Sequence, residues 1–123
     1  MKTPKRILER RRSVRIHESF LFKIGGESYE TQGISVNLSS HGILGMVEKD
    51  IPLMTQLKIA LQLPTQGSRG TVKLTTIHIK GVIVRKDKDP RTGRFLIAIY
   101  FSNIKADDQK RLQRFISGYL KNP

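Results

Sequence analysis

Two stretches of this 123-residue chain carry side chains whose types and spacing suit chemistry on an anion or a flat heterocycle. The first is Arg10-Arg11-Arg12-Ser13-Val14-Arg15, in which Arg11 and Arg15 form an Arg-x-x-x-Arg pair preceded by Arg10. A guanidinium is planar, forked and always charged. It can clamp a phosphate, bond the O6 and N7 edge of a guanine, or stack on a ring, and a lysine ammonium cannot do all three. The second stretch is Asn37-Leu38-Ser39-Ser40-His41-Gly42. The Asn37 carboxamide can address a guanine edge and the Ser39 hydroxyl can donate to a phosphate or base. Gly42 is expected to take a positive φ and let the backbone approach a ligand. Arg85, closing a long Val-, Ile- and Thr-rich run, is a further guanidinium available to stack on a base. Taken singly, each pattern has a plain reading: a basic terminus is usually a solvated tail, and Asn-x-Ser-x-x-Gly usually only joins two strands.

The charge balance agrees with an anionic partner. There are 23 Lys and Arg against 10 Asp and Glu, a net +13, and seven of the basic residues fall between Lys2 and Arg15 beside one acid, Glu9. Such an excess favours nucleic acid, nucleotides and anionic lipid alike, because it reports long-range attraction and not which phosphate is read. Other classes are disfavoured. With no cysteine, thiolate metal sites, disulfides and cysteine nucleophiles are excluded. His17, His41 and His78 lack metal-ligand spacing, Ser39 and His41 lack a carboxylate to complete a triad, and Gly67-Ser68-Arg69-Gly70 lacks the lysine of a phosphate loop. Neither a metal, a cofactor nor catalysis is expected. No apolar run approaches the ~20 residues of a membrane span, and no apolar stretch of secretory-signal type follows the basic start. A cytoplasmic protein without a membrane span is expected.

The elements that must position these residues read as strands. From Ile16 onward, short apolar-polar alternations are separated by turn residues. Strands are expected over Ile16–Ile24, Ser28–Val36, Ile43–Glu48, Gln56–Leu63, Val72–Arg85 and Phe95–Phe101. A Gly25-Gly26 turn, a tight Asn37–Gly42 turn, a polar loop from Pro64 through Gly70 and an Asp87–Arg94 hairpin loop should connect them. The alternation slips at Thr75-Thr76, where a bulge is expected. Leu112, Phe115, Ile116, Tyr119 and Leu120 then form one apolar stripe, predicting a helix over Asp107–Leu120 with Asp107 as N-cap. Five or six antiparallel strands of this length favour a closed or half-closed barrel, and the helix should cover it.

The order of the two motifs, the β-rich middle and the ending Phe101-Ser102-Asn103-Ile104 with Asp108, Leu112, Phe115 and Ile116 resemble the PilZ domain family over nearly the whole chain. The resemblance implies a six-stranded antiparallel barrel with a C-terminal α-helix (16–123) behind a flexible basic arm (1–15). It also implies a receptor for the bacterial second messenger cyclic di-GMP. Carried over by position, Arg11 and Arg15 are the ligand-binding arginine pair, and Asn37, Ser39 and Gly42 the ligand-binding turn; Arg10 resembles members that take up a stacked, two-molecule form. The chain departs from the family at Asn37, where aspartate is commoner, and at Ala98, where glycine is frequent. Such a receptor changes conformation on binding and regulates an unidentified effector protein in motility, pilus or exopolysaccharide output. The rival readings are a small nucleic-acid-binding β-barrel, which the 7% aromatic content supports poorly, and an adaptor that has lost its ligand.

Overall fold

Between Leu21 and Ile104 buried apolar residues recur at every second position over much of each strand, and the chain folds as six antiparallel strands. The structure, a computed structural model, describes residues 18–26, 30–66 and 68–121. The strands are β1 (Leu21–Gly25), β2 (Glu30–Leu38), β3 (Gly42–Val47), β4 (Gln56–Gln66), β5 (Val72–Lys88) and β6 (Phe95–Ile104), followed by helix α1 (Ala106–Lys121). They close into a barrel in the order β1-β2-β3-β6-β5-β4. Closure leaves no full-length edge for another chain to pair with.

Large aliphatic side chains fill the interior. Ile24, Ile59, Leu61, Ile77, Ile83, Ile97 and Ile99 are all essentially inaccessible. The Phe22 ring occupies a hollow made by two glycines, since a Cβ on Gly33 or Gly45 would lie 2.5 or 2.6 Å from it. Ile51, in the β3–β4 connection, is fully buried. Helix α1 adds Leu112 and Ile116 to the same core. It is tied to β5 by the Asp108 carboxylate, which accepts from the His78 backbone N–H at 3.2 Å and from Arg111 at 2.8 Å.

Several expected boundaries shift, each for a local reason. The first strand begins at Leu21 instead of Ile16, which lies outside the described residues together with His17, Ser28 and Tyr29. β4 continues through Pro64 to Gln66, where a loop was expected. Beyond Leu61 its only partner among the described residues is β5, so this stretch of β4 is an edge, where a proline is tolerated. No bulge occurs at Thr75-Thr76: the β4–β5 register is continuous there, and the β5 irregularities lie at Lys80/Gly81 and Ile83/Arg85 against β6. Residues 72–76 form a two-stranded ribbon with β4, mostly exposed on both faces, so nothing enforces alternation until Ile77 is buried. The helix starts one residue early. The Lys105 carbonyl accepts the Gln109 N–H, which makes Lys105 the cap and leaves Asp107 and Asp108 in the first turn, where they suit the dipole.

Candidate ligand-binding site

The site begins with an irregularity in β2. Opposite β3 the register slips between Ser35 and Asn37. Strict alternation would put Asn37 on the inward face with Gly33 and Ser35; the bulge leaves Val36 exposed and Asn37 half-exposed, and Leu38 resumes the core. Asn37 was expected in the turn, but it stands in the strand opposite Leu44. The turn is the shorter Ser39-Ser40-His41.

Ser39 holds that turn. It is buried, its N–H donates to the Gly42 carbonyl at 3.0 Å, and its hydroxyl accepts from the His41 N–H at 3.2 Å and donates to the Gly42 carbonyl at 3.4 Å. The His41 carbonyl in turn accepts from the Phe101 N–H at 2.9 Å, fastening the turn to β6. Gly42 is needed for a reason other than the expected one. Its φ is not positive, Gly70 and Gly93 being the positive-φ glycines of the described residues. A Cβ on Gly42 would lie 2.7 Å from the Ile99 carbonyl oxygen, so the close approach it permits is that of β6.

Register then places the pieces in one row. Asn37 pairs with Leu44, Leu44 with Ala98, and Ala98 with Arg85, across β2, β3, β6 and β5. Three inter-strand steps make this row about 14 Å long. It runs along the barrel exterior beside a depression of about 340 Å³ whose wall includes Asn37, Ser39, His41, Gly42, Arg85 and Tyr100, a volume at the low end of the ~300–1,000 Å³ usual for small-molecule sites. Asn37, Ser39, Gly42 and Arg85 are thus brought together. Arg10, Arg11 and Arg15 lie outside the described residues.

Sequence reasoning missed several contributors to this wall, among them Ala98 and Tyr100. Ala98, noted only as a departure from a glycine, lines it between Leu44 and Arg85. Tyr100 has 54% of its surface exposed at the rim, while Phe20, Phe22 and Phe101 are buried. Its outward phase in β6 was the signal that could have found it. Among the described residues charge is scarce in the wall: Arg85 is its one arginine or lysine, and its Nε lies 3.1 Å from the Asp87 carboxylate. A second depression of about 460 Å³, bordered by Lys23, Lys58 and His78 of β1, β4 and β5, holds none of the ligand-binding residues expected from sequence. Among the described residues no three His, Asp or Glu are grouped to hold a metal, and no helix is long and apolar enough to cross a membrane.

The family model for the PilZ domain matches residues 9–118. The chain belongs to the PilZ domain family. The match spans both motifs, from before Arg10 to within α1. The fold of this PilZ domain is similar to that of the Bacillus subtilis inhibitor of motility MotI/DgrA, with TM-score 0.72 and 24% identity over 89% of this chain and 51% of that one. It is also similar to the PilZ domain of Escherichia coli YcgR with c-di-GMP, with TM-score 0.59 and 19% identity over 91% and 92% of the two chains. The whole E. coli YcgR in complex with c-di-GMP gives TM-score 0.67 and 16% identity over 91% of this chain and 46% of that one. The chain spans about half the length of MotI/DgrA and of whole YcgR. No curated protein matches the sequence significantly.

Proposed function

We propose that this PilZ domain is a cyclic di-GMP receptor, with the ligand held between the β2–β3–β6–β5 face and the arginines of the leading segment. The observation that carries the reading is the registered row Asn37, Leu44, Ala98 and Arg85, with Ser39 and Gly42 in the same wall. The face offers a carboxamide for a guanine edge, an exposed tyrosine and a guanidinium to stack on bases, and a small residue at the centre. It is poor in the positive charge that two phosphates require, and Arg11 and Arg15 supply it. Ser39 acts by shaping the turn. The face and the leading arginines suit two guanines and two phosphates better than a single-stranded nucleic acid, because among the described aromatic residues Tyr100 is the exposed one and cannot form a stacking track alone.

Binding itself is the output: the leading segment closes over the ligand and alters a surface read by an effector protein of the motility, pilus or exopolysaccharide machinery. No bond is made or broken, so the receptor needs no catalytic group. Calorimetric titration of cyclic di-GMP is expected to show saturable binding, and a stoichiometry of two ligands per chain would assign Arg10 to a stacked pair. Arg11→Ala and Arg15→Ala should each abolish the heat while leaving thermal unfolding nearly unchanged. Absence of binding at high micromolar ligand refutes the receptor.

A further inference from the structure

The bulge that turns Asn37 outward has an inward counterpart. Ser35 is a fully buried polar side chain, and its hydroxyl and its N–H both bond the segment before β1. Its N–H donates to the Phe20 carbonyl at 2.8 Å, its hydroxyl oxygen accepts from the Phe20 N–H at 2.7 Å, and the hydroxyl donates to the Glu18 carbonyl at 3.1 Å. In a regular antiparallel pair two opposed residues exchange both backbone bonds. Here the β1–β2 register ends at Leu21 opposite Ile34, and beyond it the Ser35 hydroxyl, not a backbone carbonyl, receives the Phe20 N–H. The Phe20 ring is held as well, edge-on to Phe115 of α1 with centroids 5.4 Å apart.

We infer that Ser35 is a positioning residue for the ligand-binding arginines, acting through the root of the leading segment; the inference rests on the receptor reading above. Glu18 follows Arg15 by three residues, which span at most about 11 Å of extended chain. Fixing the Glu18 carbonyl therefore fixes the point from which the arginine segment departs. Ser35 and Asn37 are two residues apart on one strand, on either side of the bulge. One backbone irregularity thus sets both the outward carboxamide and the anchor of the arginine segment. Alanine at 35 would strand the Phe20 N–H and free the Glu18 carbonyl without touching the depression.

The test uses the full chain, with amide exchange read at Phe20 and cyclic di-GMP affinity read at several salt concentrations. Ser35→Ala is expected to speed Phe20 exchange by about tenfold or more and to weaken binding about tenfold. The salt dependence of Kd should also flatten, because arginine–phosphate contacts are its source. Ser35→Cys keeps the volume with a weaker donor and acceptor, and should show the same changes to a smaller degree if the alanine variant fails to fold. Wild-type affinity in these variants, or weaker binding with an unaltered salt dependence, overturns the positioning role while leaving the receptor intact. If the wild-type chain binds no cyclic di-GMP, the receptor reading falls, and Phe20 exchange decides the anchor alone: accelerated exchange keeps it, unchanged exchange removes it.

Discussion

Where β4 faces β5, the register runs unbroken from Gln56 opposite Val82 to Gln66 opposite Val72, and the inward pairs are large: Ile59 with Ile79, Leu61 with Ile77. Where β2 faces β3, the register slips, and Gly33, Gly42 and Gly45 stand where side chains would otherwise fill space. The first hairpin gives the barrel its core. The second trades regular packing for placement: its glycines admit Phe22 from inside and β6 from the side, and its bulge sends Ser35 and Asn37 to opposite faces. Binding residues gather on the hairpin whose backbone departs from the ladder, as expected when a side chain must be re-aimed.

The sharpest way to break this comparison is Gly42→Ala. Its new Cβ meets the backbone oxygen of Ile99, which cannot rotate away as a side chain could. We expect a loss of about 2 kcal/mol and a fall in Tm on the order of 10 °C, with weaker ligand binding because the turn shifts with β3. A variant as stable as wild type in a thermal melt would show that β3 and β6 separate easily, and the glycine would lose its structural explanation.

Asn37→Asp comes next in size and moves affinity in the favourable direction. A carboxylate can accept from both N1–H and N2–H of a guanine, where the carboxamide offers one acceptor oxygen. A bidentate base contact is worth ~1–3 kcal/mol, so cyclic di-GMP should bind about tenfold more tightly by calorimetry. Unchanged or weaker binding would place the guanine edge elsewhere on the row.

The same contrast explains what could be read from the residues alone. Leu112, Phe115 and Ile116 announced the helix because three residues at helical spacing bury one face, and Leu57, Ile59, Leu61 and Leu63 announced β4 by period-two burial. The bulge at Ser35/Asn37 left no trace, since Ser, Val and Asn satisfy an apolar-polar pattern in either phase. Conversely, Thr75-Thr76 suggested a bulge that is absent, because a ribbon exposed on both faces carries no alternation to violate. Asn37, Ser39 and Gly42 were legible as a group, but the role of Gly42 was not. A glycine that admits a neighbouring strand looks the same in sequence as one that adopts positive φ. Ala98 and Tyr100 became site residues only when the β5–β6 register put Ala98 beside Arg85 and the β3–β6 register put Tyr100 beside Gly42.

The smallest effect is expected at the end of the regular hairpin, and it serves as the control. Leu74 is 62% exposed and lies on β5 beyond its last partner in β6, opposite Pro64 on the open stretch of β4. Leu74→Thr removes apolar surface that is already largely in water and places a β-branched residue, which strands favour, at an exposed position, so stability should stay within about 0.5 kcal/mol. Affinity for cyclic di-GMP should then stay within about twofold, the factor to which such a difference corresponds. If Leu74→Thr weakened binding as much as a change on the Asn37 row, the two hairpins would be energetically coupled through β5. The separation of a core-forming hairpin from a ligand-placing one would then fail at β5, the strand that carries Arg85 to the site.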